Sequence, residues 1–203
     1  MSSRTLKCIV ANAAAAAALL GCGGSESEPV EAPAASEGSE LPHETASEQP
    51  APDAPAAREA TAEFETVKGV EMTGKARFTS EPDGVRAHVE IEKATPGKHG
   101  IHVHEKGDCS DIAGKSMGSH FTPEQNPHGL PDAPAHHLGD LGNIEVAPDG
   151  TGKLDIKIPN ATLDEGANSY VGKALVIHAK EDVGTGPSGE SGDPIACAVI
   201  EAE

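Results

Sequence analysis

From about residue 61 onward, apolar and polar residues alternate in short runs divided by turn residues. A period of two marks β-strands with one face in a core and the other turned away. The clearest run is Val85 to Glu92. Val85, Ala87, Val89 and Ile91 fall on one side, and Arg86, His88, Glu90 and Glu92 on the other. The same texture predicts strands over residues 62–67, 72–79, 141–147, 153–158 and 195–201. Lys173 to His178 is a continuous apolar run ending in a histidine, also of strand length. Pro82-Asp83-Gly84, Pro96-Gly97 and Pro148-Asp149-Gly150 place tight reversals between strands. Two stretches carry no such pattern, Gly107 to Asp140 and Ala179 to Pro194. Loops this long in a compact domain are usually functional or disordered. About eight short strands, almost no helix and two long loops predict an all-β fold, an antiparallel sandwich or flattened barrel.

The strand leading into the first loop is HGIHVHEKGD, residues 99–108. Ile101 and Val103 point to one face, and His102 and His104 to the other. The aliphatic pair enters the core while two imidazoles face a common point outside it. That arrangement suits a transition metal with a preference for nitrogen. A lone His-x-His reads equally well as two surface histidines, so the signal rests on its neighbours. The first loop holds Cys109, His120, His128, His136, His137 and Asp140, which favours function over disorder. His88, on a solvent face, reads as structural.

Composition narrows the picture. With 2% aromatic residues and no Trp, the core must be built from Val, Ile, Leu and Ala. A formal charge of -18 excludes nucleic acid as a partner, because phosphate binding needs a basic face. The chain opens with basic Arg4 and Lys7, then an Ala-rich stretch over residues 9–20, then Leu19-Leu20-Gly21-Cys22. This is a targeting segment, and its end resembles the lipobox of bacterial lipoproteins, which implies lipidation of Cys22. Residues 1–21 read as signal peptide. Residues 22–60, rich in Glu, Ala, Pro and Ser, read as a disordered acidic tether, with His43 incidental. Residues 61–203 are the folded domain. The expected location is extracytoplasmic, in the periplasm or at the cell surface, on a membrane through the lipid. Cys8 leaves with the signal and Cys22 is lipidated. Cys109 and Cys197 remain to pair in an oxidising compartment.

Six segments in order, HGIHVHEKGDCSD, GSHFTP, NPHG, HLGDLGN, LVIHAKED and IACAVI, together resemble the copper/zinc superoxide dismutase family. The resemblance spans the whole domain. It implies an eight-stranded Greek-key β-barrel and dismutation of superoxide to hydrogen peroxide and dioxygen. Residue by residue, it implies copper on His102, His104, His120 and His178. Zinc falls to His120, His128, His137 and Asp140, with His120 as an imidazolate bridge. His137 is preferred over His136 because the family spacing is His-x-Gly-Asp. Asp182 matches a carboxylate linking a copper histidine to a zinc histidine, and His99 a structural histidine before the ligand strand. Cys109 and Cys197 match the family disulfide. The chemistry agrees with the residue types: imidazole-held copper exchanges single electrons, and three imidazoles with one carboxylate make a closed zinc site.

One position departs. The family places an Arg three residues before the second disulfide Cys, where it guides superoxide; here that position is Pro194, with Glu190 and Asp193 nearby. A unit charge about 5 Å away is worth roughly 3 kcal/mol at an effective dielectric of 20, less after screening. Dismutation one to two orders of magnitude slower than in typical members is therefore expected, with Lys180, Lys106 or Lys115 offering partial compensation. The competing reading is a non-catalytic copper- and zinc-binding lipoprotein on the same fold. A homodimer is compatible with either reading.

Overall fold

The computed structural model describes residues 58–203; the expected leader, Cys22, His43 and nearly all of the tether lie outside the described residues. Within them the chain forms ten strands: β1 (Glu59–Glu63), β2 (Glu65–Thr66), β3 (Thr73–Glu81), β4 (Gly84–Glu92), β5 (Gly97–His104), β6 (Asp140–Val146), β7 (Gly152–Pro159), β8 (Ala174–His178), β9 (Pro194–Val199) and β10 (Glu201–Ala202). All pair antiparallel in the order β10-β1-β3-β4-β7-β6-β5-β8-β9-β2. β4 lies beside β7 and β5 beside β8, so the chain crosses twice in the Greek-key manner.

Ten strands replace the expected eight because the first and last are each broken once. β1 pairs with β3 and β10, whereas β2 pairs with β9 at the other end of the sheet. β9 and β10 divide in the same way around Ile200. At this seam the chain changes edges, which covers strand edges that would otherwise invite pairing with another chain. β1 also starts at Glu59, ahead of the expected boundary at 61. Glu59 pairs with Thr79, and its carboxylate accepts a hydrogen bond from Arg77 at 2.8 Å.

The inward faces form one aliphatic core. Val85, Ala87, Val89 and Ile91 of β4 are buried, as are Ile101, Val103, Leu175 and Ile177 from the opposite side. Each of the Val, Leu and Ile side chains contributes about 1.5–3 kcal/mol. Three of the few aromatics stand together: Phe78 and Phe121 each meet Tyr170 edge-on at 6.1 Å. The Tyr170 hydroxyl donates to the Leu138 carbonyl at 2.5 Å, which fastens the first long loop to the barrel.

The β5–β6 and β8–β9 connections lie over the outer face of β5 and β8. In the first, Ile112 and Met117 pack on Ala174, Val176 and Cys197, making a second small apolar cluster outside the barrel. The Cys109–Cys197 disulfide, with Cα atoms 5.7 Å apart, ties this loop to β9 across 88 residues of sequence. β8 is therefore buried on both faces, which accounts for its unbroken apolar run.

Candidate metal centre

The alternation on β5 behaves as the sequence predicts in direction but not in exposure. His102 and His104 do point away from the aliphatic core. They are nonetheless buried, at 0% and 5% exposure, because the two loops roof that face. His178 at the end of β8 joins them from the neighbouring strand, and His120 comes down from the first loop. A β-bridge between His104 and His120 fixes the latter. The His102 and His120 rings lie 4.0 Å apart, and His102 and His178 4.9 Å apart. One nitrogen from each of His102, His104, His120 and His178 falls within 4.8 Å of the others.

Hydrogen bonds fix which nitrogen faces inward. His102 donates from Nε2 to Asp182 Oδ2 at 2.7 Å. His104 donates from Nδ1 to the Gly118 carbonyl at 2.8 Å, and His178 from Nδ1 to the Gly192 carbonyl at 3.0 Å. Their other nitrogens, with His120 Nε2, are buried without a partner. Unpaired buried nitrogens are costly unless something occupies the point they face. Burial lowers His102 to about 4, against the opposing pull of Asp182. Burial, reinforced by neighbouring imidazoles, takes His104 to about 3 and His178 to about 3. All three remain neutral at physiological pH, as metal ligation requires.

The second cluster centres on Asp140 at the start of β6. Its Oδ2 accepts from the backbone N–H of His137 at 2.9 Å and of Gly129 at 3.1 Å. Its Oδ1 is left facing three Nδ1 atoms, of His120 at 2.8 Å, His128 at 3.0 Å and His137 at 3.2 Å. The His128 contact is too far out of line to be a hydrogen bond, and that nitrogen has no hydrogen-bond partner. One atom from each of the four residues lies within 4.8 Å of the others, and three imidazoles with one carboxylate is a donor set that suits zinc. Burial alone would raise the Asp140 carboxyl; the His120 and His137 side chains and the two N–H groups outweigh it and hold it well below the usual range. Donor set and geometry thus fit copper in the all-imidazole cluster and zinc in the mixed one.

Asp182 joins the clusters: beyond His102, its Oδ1 lies 3.0 Å from His128 Nε2. Burial works to raise it, but hydrogen bonds from His102, Gly184 N–H and His128 hold it at about 2. Gly139 shows how tightly the first loop is threaded. Val103 N–H donates to the Gly139 carbonyl, and Gly139 N–H to the Phe121 carbonyl, each at 2.8 Å. A methyl group at 139 would strike the Val103 carbonyl oxygen.

The remaining histidines stand apart. His136 turns away from Asp140, its Nδ1 3.3 Å from the Ala133 carbonyl. His99 is buried, with Nδ1 2.8 Å from the His178 carbonyl and Nε2 2.9 Å from the Thr95 carbonyl, so it braces the turn against β8. His88 is on the solvent face, 3.6 Å from Glu90 and 3.5 Å from Asp155. The sequence reading did not find the Gly118 and Gly192 carbonyls or Asn143. Backbone acceptors carry no residue-type signal, and Asn143 was only one letter of HLGDLGN.

A sequence model described as copper/zinc superoxide dismutase (SODC) matches residues 72–200. An extracellular superoxide dismutase [Cu-Zn] of Brugia pahangi is 36% identical over 139 residues, 64% of this chain and 69% of the relative. A superoxide dismutase [Cu-Zn] of Onchocerca volvulus is 34% identical over 146 residues, 66% of this chain and 91% of the relative. An extracellular superoxide dismutase [Cu-Zn] of Drosophila melanogaster is 36% identical over 140 residues, 64% and 76% of the two chains. Among solved structures, the crystal structure of the clock protein EA4 superposes with a TM-score of 0.66 at 33% identity, covering 74% of this chain and 98% of that one. With these matches and the paired histidine clusters, the chain belongs to the copper/zinc superoxide dismutase family, oxidoreductases whose cofactors are copper and zinc.

Proposed function

We propose that this chain dismutes superoxide with copper on His102, His104, His120 and His178 and zinc on His120, His128, His137 and Asp140. The observation that carries the reading is the set of unpartnered nitrogens, His102 Nδ1, His104 Nε2, His120 Nε2 and His178 Nε2, converging inside a buried cluster. Held by these four imidazoles, copper would supply the one-electron exchange that dismutation needs. The protein does the rest. Asp182 and the Gly118 and Gly192 carbonyls hold three imidazoles in the tautomer that presents a lone pair. His120 spans both clusters, with Nδ1 on the Asp140 side and Nε2 among the other three rings. His120 Nε2 would be the atom able to hold one proton and pass it to the reduced oxygen, with the second proton coming from solvent. Two superoxides and two protons thus give hydrogen peroxide and dioxygen.

Turnover is expected to be slow. Pro194 pairs in register with His178, so the guiding position lies beside the copper cluster but carries no charge. One compensating cation is Lys115. It sits 3.3 Å from Asp193, and its charge adds to the lowering of His178 that burial begins. We expect a rate one to two orders of magnitude below typical members, and a rise on Pro194→Arg that fades with added salt. Near-diffusion-limited turnover with little salt dependence would overturn this. Because the missing charge favours it, a second reading is a non-catalytic copper- and zinc-binding protein. Superoxide turnover measured alongside metal content separates the two: full copper and zinc with no turnover leaves only binding.

The N-terminal pattern supports export and a lipid on Cys22, which would place the protein on a membrane outside the cytoplasm. The disulfide fits an oxidising compartment. Fatty-acid labelling lost on Cys22→Ser tests the anchor; labelling that persists would refute it.

A further inference from the structure

We propose that Asn143 is a positioning residue that sets both metal positions at once by clamping the backbone of Asp182. The inference rests on reading His102 and His128 as ligands. The Asp182 N–H donates to Asn143 Oδ1 at 2.7 Å, and Asn143 Nδ2 donates back to the Asp182 carbonyl at 2.9 Å. One carboxamide thus holds both backbone groups of a single residue 39 positions away. Only a carboxamide supplies an acceptor and a donor side by side; Asp lacks the donor, and Gln is one methylene longer. The clamped residue is the one whose carboxylate reaches His102 with one oxygen and His128 with the other.

A β-bulge puts Asn143 in place. Gly100 pairs with Asn143 and His102 with Asp140, so Leu141 and Gly142 together oppose Ile101. Gly142 takes the left-handed conformation this requires, with φ at 80°. In a regular strand, positions 140 and 143 would face opposite sides. The extra residue brings both to the metal side, while Leu141 and Ile144 both face the core at 2% and 0% exposure. One strand therefore delivers the zinc carboxylate directly and the linking carboxylate through the Asn143 clamp. Asn143 makes no hydrogen bond to a cluster histidine, so its effect must pass through Asp182.

The test is zinc affinity of the full-length protein by chelator competition, for wild type, Asn143→Ala, Asp182→Ala and the double variant. Losing the partner of a metal-bound histidine costs about 10–100-fold in affinity. Asn143→Ala is expected to weaken zinc about tenfold or more, and to add less than about twofold in the Asp182→Ala background, since coupled residues are not additive. The isosteric Asn143→Asp, which keeps the shape and loses the donor, should weaken zinc in the same direction even if the Ala variant misfolds. Unchanged affinity in both single variants, or an equal loss with and without Asp182, would overturn the proposal. A wild-type protein that held no stoichiometric zinc would instead overturn the site reading, and this inference with it.

Discussion

Two outward faces of the barrel begin from the same sequence pattern and end differently. On β4, Arg86, His88 and Glu90 alternate with buried aliphatics and face solvent. There Arg86 pairs with Glu81 and Asp155, and Glu90 with Lys153. On β5, His102 and His104 alternate with aliphatics in the same way but are buried. The inner faces of both strands are equally closed. The difference is the cover: β4 has none, whereas β5 and β8 lie under loops held by a disulfide, an apolar cluster and the Tyr170 hydroxyl. The same imidazole is an incidental surface group on one face and a neutral, buried group with one nitrogen left unpaired on the other. Alternation sets direction; the loops set the dielectric, and with it the chemistry.

The sharpest test of that contrast replaces one histidine on each face. His104→Ala should abolish turnover, a loss beyond the 10–100-fold expected for an outer partner, while His88→Ala leaves rate and metal content unchanged. Equal effects in the two assays would mean that cover does not distinguish the faces. The next largest effect is on the cover itself. Cys109→Ser with Cys197→Ser opens an 88-residue loop and should cost about 4–5 kcal/mol by loop entropy, read from urea unfolding. Below that, Ile101→Ala, on the core side of β5, should cost about 2–5 kcal/mol as a cavity while metal content holds.

The buried face carries the pH response. Metal-free protein keeps His102, His104 and His178 neutral to about 4, 3 and 3, whereas the unfolded chain protonates them near 6.5. Below about 6.5 the unfolded state therefore binds more protons, and stability falls with pH down to about 3. Above 6.5 these groups contribute nothing. Depressed Asp140 and Asp182 extend the loss at lower pH, because their contribution is present only while they remain ionised. Thermal melts of metal-free protein should drop between pH 7 and 4, and a flat profile would contradict the burial argument. Arg86→Ala closes the series: its ion pairs are solvent-screened, so the unfolding midpoint should not move.

Much of this was legible in the sequence because periodicity and residue type are local. Val85 to Glu92 announced both of its faces. The LVIH run announced a strand, while the preference for His137 over His136 came from the resemblance to the family spacing His-x-Gly-Asp. What escaped had no residue-type signature. The strand breaks at Phe64 and Ile200 arise from which edge the chain meets across the seam. The bulge at Leu141 and Gly142 shows only in the register with β5, and without it HLGDLGN does not reveal that Asp140 and Asn143 share a face.

The sequence by itself determined the all-β class, the inward and outward sets on each strand, and the histidines, carboxylates and cysteines available for chemistry, since each depends on side-chain identity and a period of two. Tertiary structure alone decided that the outward face of β5 and β8 is roofed. It also decided which nitrogen of each histidine is free, that Asp140 divides its oxygens between backbone and imidazoles, and that Asp182 is held from β6. Those properties depend on loops and backbone groups brought together from as near as 3 to as far as 88 residues apart in the chain, and backbone groups carry no residue-type pattern that would record them.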